Sequence, residues 1–359
     1  MNAPPPRRRH VRRGLIALSI GAILTGGVAW FVRPVPGPLD AVPATSLVVI
    51  DANTKALRES RLRERVEGAL KARVPLDKLD QACGFATLAR VDRAVVTIGE
   101  GEAGGVGVAL DGRISEKELL NCETQLIIGA VGTTKNQLEK SYAHGSFLLT
   151  PLRLADVDIV LGVGLRRPLL VASPTWTEQL ADAADRPQNR SFLRLFEVKP
   201  MLPAPHDAVR ARLEKATAGL PLLLAASVKR VPRDPLPLIA GFLPTQELAA
   251  RAAEARGLGA IGAALSETTQ GDQHRAVVHG ILELADDNAA KALADVLLGV
   301  RLHFAQNLMV RAVGLGPLLD SLKVSQDGAW VSVRFEDDSA ALADHLDQAR
   351  VLLSGEVPR

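Results

Sequence analysis

Residues 147–172 read FLLTPLRLADVDIVLGVGLRRPLLVA, and this stretch decides the fold class. Three apolar runs, at 147–152, 157–162 and 169–172, have the length and composition of short β-strands. They follow one another too closely for the helical crossovers that parallel strands need. The sequence therefore predicts antiparallel pairing and an α+β fold, and not a doubly wound parallel sheet.

Strand and helix signals continue on both sides of this stretch. Further strands are predicted at 46–52, 93–99, 106–110, 222–228, 258–267, 274–284 and 329–335. A polar stretch with a proline at residues 182–190 (DAADRPQNR) indicates a boundary. We therefore expect two α+β units with mainly antiparallel sheets, at residues 46–185 and 190–355. A duplicated unit would fit this pattern, although the two halves do not align convincingly.

The clearest helix signal in the chain follows Asp286-Asp287-Asn288, whose side-chain oxygens can cap a helix N-terminus. Apolar residues then recur at helical spacing, at Ala289, Leu293, Val296, Leu297, Val300, Phe304 and Leu308. We expect this stripe to pack on the preceding strand through Ala276, Val278, Leu282 and Leu284, with Asp295 and Arg301 in water. An exposed docking face for a partner is the alternative.

The N-terminus has the pattern of a membrane anchor. A basic arm at residues 1–13 precedes 19 uncharged residues, 14–32, which would span about 28 Å as a helix. Five arginines lie before this span and Arg33 directly after it, so the positive-inside rule places the N-terminus in the cytosol and the body in the periplasm. Residues 33–45, rich in proline, are predicted to be a stiff linker. The alternative is a signal peptide that is cleaved, leaving a secreted body.

The charge of the body argues against a nucleic-acid partner. The chain has 43 basic and 40 acidic residues, and setting aside the six arginines of residues 1–33 leaves 37 basic residues against 40 acidic ones. A nucleic-acid-binding surface is normally strongly basic. The expected partners are therefore the inner membrane, through residues 14–32, and a second envelope protein.

Cys83 and Cys122 are the only cysteines of the chain. An even pair in an oxidising periplasm favours a disulfide over two free thiols. No histidine lies near either cysteine in the sequence, as a metal site would require. We therefore predict a disulfide between Cys83 and Cys122.

No motif for catalysis or cofactor binding is supported by the sequence around it. Residues 99–104 match G-x-G-x-x-G, but a strand pattern follows where a dinucleotide site needs a helix, so a hairpin tip is expected. His274 and His279 are separated by an odd spacing on one predicted strand, so they point to opposite faces and cannot share a metal ion. His279 is expected to be solvated, and His206 to lie in a loop. We predict no catalytic residue, no metal and no cofactor.

Several segments resemble uncharacterised single-pass envelope proteins of Gram-negative bacteria. The resemblance lies in LVVIDANTKALRESRL (47–62), Cys83-Gly84-Phe85, the strand that starts at Asp92, ADDNAAKALADVLLG (285–299) and GLGPLLDSLKVSQDGAWVSV (314–333). It would cover about residues 42–345, and it implies no activity. Together with the anchor, it leads us to expect a membrane-anchored, non-catalytic binding or scaffolding protein of the envelope. The alternative is an anchored periplasmic hydrolase without a sequence signature.

Overall fold

The computed structural model describes a mixed α+β body. The described residues are 36–71, 76–100, 104–114, 117–118, 121–122, 124–125, 140–154, 157–186, 202–217, 222–231, 243–270, 273–312, 316–342 and 344–345. The expected arm and anchor, residues 1–32, lie outside them. Within the described part, no helix is both long enough and apolar enough to cross a membrane.

Twelve strands form one continuous sheet, in the order β11-β12-β10-β9-β8-β1-β2-β3-β7-β6-β5-β4. The first half contributes β1 (Ser46–Ala52), β2 (Val91–Gly99), β3 (Val106–Gly112), β4 (Tyr142–His144), β5 (Phe147–Leu154), β6 (Val157–Val163) and β7 (Leu169–Ala172). The second half contributes β8 (Leu222–Val228), β9 (Ile261–Gln270), β10 (Gln273–Glu283), β11 (Lys323–Asp327) and β12 (Trp330–Asp338). All neighbouring strands are antiparallel, which confirms the predicted α+β class with antiparallel pairing.

The expectation of separate sheets needs a correction, because β1 pairs with β8 in the middle of the molecule. Ile50 lies opposite Ala226 in this pair, so the strands of the two halves form a single sheet. Each half also has the same order of elements. A central strand (β1 or β8) is followed by one or more helices, by a hairpin (β2–β3 or β9–β10) and by later strands further out in the sheet. This shared order fits a duplicated unit.

Helices lie between the strands. They are α1 (Thr54–Glu59), α2 (Arg63–Lys71), α3 (Leu76–Cys83), α4 (Thr87–Arg90), α5 (Pro174–Ala184), α6 (Ala204–Ala216), α7 (Gln246–Glu254), α8 (Asp287–Ala305), α9 (Leu308–Ala312) and α10 (Gly316–Ser321). Pro174 at the first turn of α5 suits a helix start, because proline lacks the N–H that would be unpaired there. Both α5 and α6 bury a stripe at helical spacing: Trp176, Leu180 and Ala184 in α5, and His206, Val209 and Leu213 in α6.

One face of the central strands is fully covered, and we call it the covered face. It carries Val49, Val95, Ala109 and Leu170, each at most 3% exposed. Helix α5 packs over β3, β6 and β7, and α6 packs over β8, β9 and β10. Part of the core therefore lies between the sheet and these two helices, and further core clusters form under α8 and around Leu62.

Part of the predicted linker belongs to this core, which corrects the expectation of a spacer over residues 33–45. Pro38–Ala41 form a 3-10 helix in which all four residues are buried. Leu39 and Val42 pack against Val49 and Val95 of the sheet. Proline content indicated an extended chain, but Leu39, Ala41 and Val42 supply apolar surface that the covered face buries.

Cys83 and Cys122 form a disulfide, with their Cα atoms 4.0 Å apart. It links the end of α3 to a residue that follows β3 in the chain, and it confirms the predicted pairing. By the chain-entropy argument, a closed loop of this length stabilises the fold by about 4 kcal/mol.

Helix α8 follows the sequence prediction in part. Asp286 Oδ1 accepts a hydrogen bond from the N–H of Ala289 at 2.8 Å, so the predicted N-cap is confirmed. The buried stripe contacts Leu282 of β10 and Leu284 just after that strand, and the helix packs mainly on β11, β12 and α7. The predicted contacts with Ala276 and Val278 are wrong, because those residues pack with Leu62, Leu318 and Phe335.

The two ends of the predicted stripe also differ from expectation. Leu308 lies beyond the end of α8 at Ala305 and is 82% exposed. Arg301 was expected in water, yet its Nε donates a hydrogen bond to the carbonyl oxygen of Leu319 at 3.1 Å. That carbonyl belongs to α10, so Arg301 ties α8 to the second helix after it.

Replacing Leu293 tests whether α8 is a core helix. Leu293 is 4% exposed, whereas Leu302 of the same helix is 61% exposed. Leu293→Ala should lower the free energy of unfolding by about 2–5 kcal/mol, because it leaves a cavity. The matched change Leu302→Ala should stay within about 0.5 kcal/mol. Urea denaturation of both variants measures the difference, and equal small effects would show that the stripe is a docking face instead.

Candidate functional site

Two features stand out on the sheet, one on each side of its centre. The first is a buried polar cluster on the covered face, where β1, β2, β8 and α6 meet. The second is an apolar surface on the opposite face of the first half. The cluster contains a buried carboxylate bound by two arginines.

Asp51 is the centre of the cluster and is 6% exposed. Arg93 on the neighbouring strand donates two hydrogen bonds to its carboxylate, from Nε to Oδ1 at 2.8 Å and from Nη2 to Oδ2 at 2.7 Å. Arg210 of α6 donates a third, from Nη1 to Oδ2 at 2.6 Å. One carboxylate therefore ties β1 to β2 and to α6.

The charges of this cluster compensate for the cost of burial. Burial alone would raise the pKa of Asp51, but the hydrogen bonds and positive charges of Arg93 and Arg210 outweigh it and lower that pKa. The hydrogen bond to Asp51 correspondingly raises the pKa of Arg93. Asp51 therefore stays ionised at neutral pH, as a structural anion held by two cations.

His206 lies beside this ion pair and is fully buried, which corrects its placement in a loop. Its Nε2 lies 3.0 Å from the carbonyl oxygen of Ser46, and its Nδ1 lies 2.6 Å from Ser227 Oγ. A carbonyl oxygen can only accept, so Nε2 carries the proton and a neutral ring accepts the Ser227 hydroxyl at Nδ1. Burial lowers the pKa of His206, and Lys229 adds to this effect. The ring thus connects α6 to both β1 and β8 in its neutral form.

A small pocket next to these groups has a volume of about 10 Å³, which is room for about one water molecule. Its apolar lining includes Leu39, Val49, Leu202 and Leu213, and its polar lining is the same set of residues that pair with one another. Ligand sites usually enclose about 300–1,000 Å³ and present polar groups that await a ligand. The cluster therefore has the features of a structural clamp between the two halves.

The strands β2 and β3 on either side of the glycine-rich turn form the predicted hairpin, and residues 101–103 of the turn lie outside the described residues. Ile98 and Val106 face each other across β2 and β3, and the N–H of Gly99 donates to the carbonyl oxygen of Gly105 at 2.8 Å. A side chain at Gly99, Gly105 or Gly107 would collide with Trp176, whose Nε1 donates to Thr97 Oγ1 at 2.9 Å. These glycines make room for a buried tryptophan, which sequence reasoning did not recognise.

The histidines in the described part of the chain lie apart from one another. His279 is 3% exposed, so the expectation that it is solvated is wrong, and burial lowers its pKa. His274 Nδ1 lies 3.9 Å from Glu267 Oε2, and His345 Nδ1 lies 2.5 Å from Asp337 Oδ2. These are two separate pairs, and within the described ranges no three His, Cys, Asp or Glu side chains are placed to hold an ion.

The opposite face of the first half is aliphatic, and we call this surface the aliphatic patch. Strand register places its residues side by side, because Ile50 pairs with Val96, Val96 with Val108, and Val108 with Val171. The patch consists of Val48, Ile50, Val96, Ile98, Val106, Val108, Leu110, Leu148, Leu161, Val163, Leu169 and Val171. At the equivalent positions of these strands, Thr150 is the only polar side chain that the structure describes, and none is charged.

Exposure distinguishes the two faces of the same strands. Along β2, Val95 and Thr97 of the covered face are 0% exposed, whereas Ile98 of the patch is 38% exposed. Val106 is 56% exposed and Leu148 is 49% exposed. An antiparallel sheet that turns one face to water usually carries polar residues there. Here aliphatic side chains stand at these positions, three of them exposed and the other nine half-buried.

Comparison of the chain with protein-family models, with curated proteins and with solved structures finds no match. The argument for a function therefore rests on the geometry of these two features.

The lowered pKa of His206 predicts a pH dependence of stability. The unfolded chain binds a proton at this histidine near pH 6.5, whereas the folded chain resists it, so stability is full above that pH and falls below it. One such group changes the free energy of unfolding by at most about 1.4 kcal/mol per pH unit, until the pH falls to the lowered pKa of the histidine in the folded chain. His206→Gln should therefore flatten the fall of the melting temperature between about pH 6.5 and 5.

The control for this measurement is His303→Gln, since His303 lies exposed on α8. It should keep the pH profile of the unchanged chain. His279 also has a lowered pKa, so some pH dependence should remain in His206→Gln. An unchanged profile in His206→Gln would contradict the role assigned to this residue.

Proposed function

We propose that the chain is a membrane-anchored periplasmic binding or scaffolding protein of the cell envelope, without catalytic activity, and that the aliphatic patch is its binding surface. The observation that carries the proposal is the contrast between the two faces of the same strands. A broad apolar surface on a sheet favours binding over chemistry, because it offers contact area without reactive groups.

The energetics of exposure support the use of the patch. Each Å² of apolar surface removed from water contributes about 25 cal/mol, so covering the exposed side chains of Ile98, Val106 and Leu148 would favour association. The largest apolar patch on the surface of a monomeric protein is often functional. Val106 and Leu148 contribute the most exposed side chains of this surface.

The location of the body follows from the expected anchor. If residues 14–32 span the membrane, only residues 33–35 separate the span from Pro36, the first described residue. Four Cα-to-Cα steps cover at most about 15 Å. The body would then stay close to the outer surface of the inner membrane, where a scaffold or a binding module of the envelope would act.

An anchored hydrolase is the second candidate, and one observation favours it. Ser227 donates its hydroxyl proton towards the neutral ring of His206, which is the arrangement of a serine activated by a base. Ser227 is only 7% exposed, and the other ring nitrogen of His206 faces a backbone carbonyl instead of a carboxylate. Both residues are thus occupied in holding α6 against the sheet, and we favour the binding function.

Site-specific photocrosslinking in intact cells tests the binding function. Val106→p-benzoylphenylalanine and Leu148→p-benzoylphenylalanine place the reactive group on the patch of the full chain. Illumination should give discrete adducts at both positions. The matched control is Leu308→p-benzoylphenylalanine, since Leu308 is 82% exposed on another element. Adduct yields on the patch no higher than at Leu308 would contradict the proposal.

A fluorophosphonate probe separates the two candidates. It labels serines that a neighbouring base activates, so the hydrolase predicts labelling that Ser227→Ala abolishes. The binding function predicts no labelling at Ser227 in the folded chain. Labelling at Ser227 would move the assignment to the hydrolase.

A further inference from the structure

We propose that the turn between β6 and β7 contacts the phospholipid headgroups at the outer surface of the inner membrane. We call residues 164–167 the tip turn. The inference rests on the membrane anchor of the proposed function and adds a contact that the aliphatic patch does not make. Three observations carry it: the side chains of the tip turn, its backbone conformation, and its position beside the segment through which the chain enters the body.

The central side chains of the tip turn differ from those that tight turns usually carry. The N–H of Arg167 donates to the carbonyl oxygen of Gly164 at 3.2 Å, which closes the turn around Leu165 and Arg166. Glycine, asparagine, aspartate, serine and proline dominate such positions. Here Leu165 is 83% exposed, more than any other large apolar side chain of the described residues. Arg166 is exposed as well, and its guanidinium forms no hydrogen bond or ion pair with another described residue.

Arg166 has a left-handed backbone, with φ at 54°. The other described residues with positive φ are all glycines: Gly84, Gly145, Gly257 and Gly328. A Cβ is disfavoured in this region, and residues that are held there cluster at ligand-binding and other functional sites. Glycine would take this conformation without strain, so the turn carries an arginine against its backbone preference. Natural proteins break such local rules mainly at functional positions.

Contacts around the C-terminus of α5 place the tip turn beside the entering segment. Arg167 Nη2 lies 3.0 Å from Oδ1 of Asp185, the residue directly after α5. The next residue, Arg186, donates a hydrogen bond from Nη2 to the carbonyl oxygen of Val42 at 2.8 Å. The tip turn and the segment that leads into β1 therefore flank the same end of α5.

The short connection to the expected span brings this end of the body to the bilayer. Residues 38–41 form a compact 3-10 helix, which rises about 2 Å per residue, so Pro36 stays near Val42. Residues 33–35 then extend over about 15 Å at most before the expected span begins. The end of α5 that the tip turn flanks therefore lies near the expected membrane surface.

A phospholipid matches both side chains of the tip turn. The planar guanidinium of Arg166 can donate parallel hydrogen bonds to phosphate oxygens. An apolar side chain such as Leu165 favours the boundary between headgroups and acyl chains, which lies next to the phosphates. A lipid phosphate with hydrocarbon beside it thus pairs Arg166 and covers Leu165, whereas a free phosphate ion would leave Leu165 in water.

The test measures the depth of a nitroxide on the tip turn, with the full chain in nanodiscs of phosphatidylethanolamine and phosphatidylglycerol. Leu165→Cys attaches the nitroxide at the tip, and Leu308→Cys is the matched control, because Leu308 is 82% exposed on α9. Ile23→Cys reports on the expected span. At positions 165 and 23, oxygen, which dissolves in the bilayer, should relax the nitroxide more than a water-soluble nickel chelate does. At position 308 the nickel chelate should be the stronger relaxant.

Arg166→Asn in the Leu165→Cys chain tests the contribution of the arginine. Asparagine accepts the left-handed backbone but carries no charge, so the turn keeps its shape and loses the phosphate contact. The nitroxide at position 165 should then lose its preference for oxygen. The control Arg251→Asn removes an exposed arginine of α7 and should leave that preference unchanged. The Cys83–Cys122 peptide and the melting curve check the fold of each variant.

The three labelled positions separate the possible failures. If the nitroxide at position 165 is as accessible to nickel as the one at position 308, while position 23 lies in the bilayer, the inference is overturned and the anchor of the proposed function stands. Nickel access at position 23 as well would show that the anchor fails, and the inference with it. An unchanged oxygen preference after Arg166→Asn would contradict the contact between Arg166 and a phosphate.

Discussion

The pairing of β1 with β8 is the contact on which the rest of the structure depends. Each half supplies its own hairpins, which need only local chain reversals, but only this pair joins them into one sheet. Because the pair lies at the centre, both faces of the sheet are continuous across the two halves. The covered face can then receive α5 and α6 side by side, and the opposite face of the first half carries the aliphatic patch.

The polar cluster explains how this central pair is held in register. Asp51 and Ser227 lie on the covered face of β1 and β8, and both bond to side chains of α6. A buried carboxylate is costly without partners, so Arg93 and Arg210 must be in place for Asp51 to be tolerated. This requirement favours one arrangement of helix and strands over others, which is a structural role for residues that could be mistaken for an active site.

Local features of the fold could be predicted from the sequence, and long-range ones could not. Close spacing of apolar runs gave the antiparallel strands of residues 147–172, and Asp286 marked the start of α8. The partner of β1 could not be predicted, because strand pairing between residues so far apart leaves no periodic signal.

The placement of His206 could have been found, since Val209 and Leu213 continue its stripe at helical spacing. Asp51 could also have been noticed, because it interrupts an apolar strand. Its pairing with Arg93 could not be predicted before β1 and β2 were known to be neighbours. The aliphatic patch could be identified only from the structure. The alternation of residues along a strand does not show which apolar face is more exposed.

Native-state hydrogen exchange of the backbone amides tests most directly whether the two halves form one sheet. If they do, the amides that donate hydrogen bonds between β1 and β8 should exchange as slowly as those between β2 and β3 and between β9 and β10. The free energy of opening for all of them should equal the free energy of global unfolding. Faster exchange in β1 and β8, while both hairpins stay protected, would show that the halves separate before they unfold and would contradict this account.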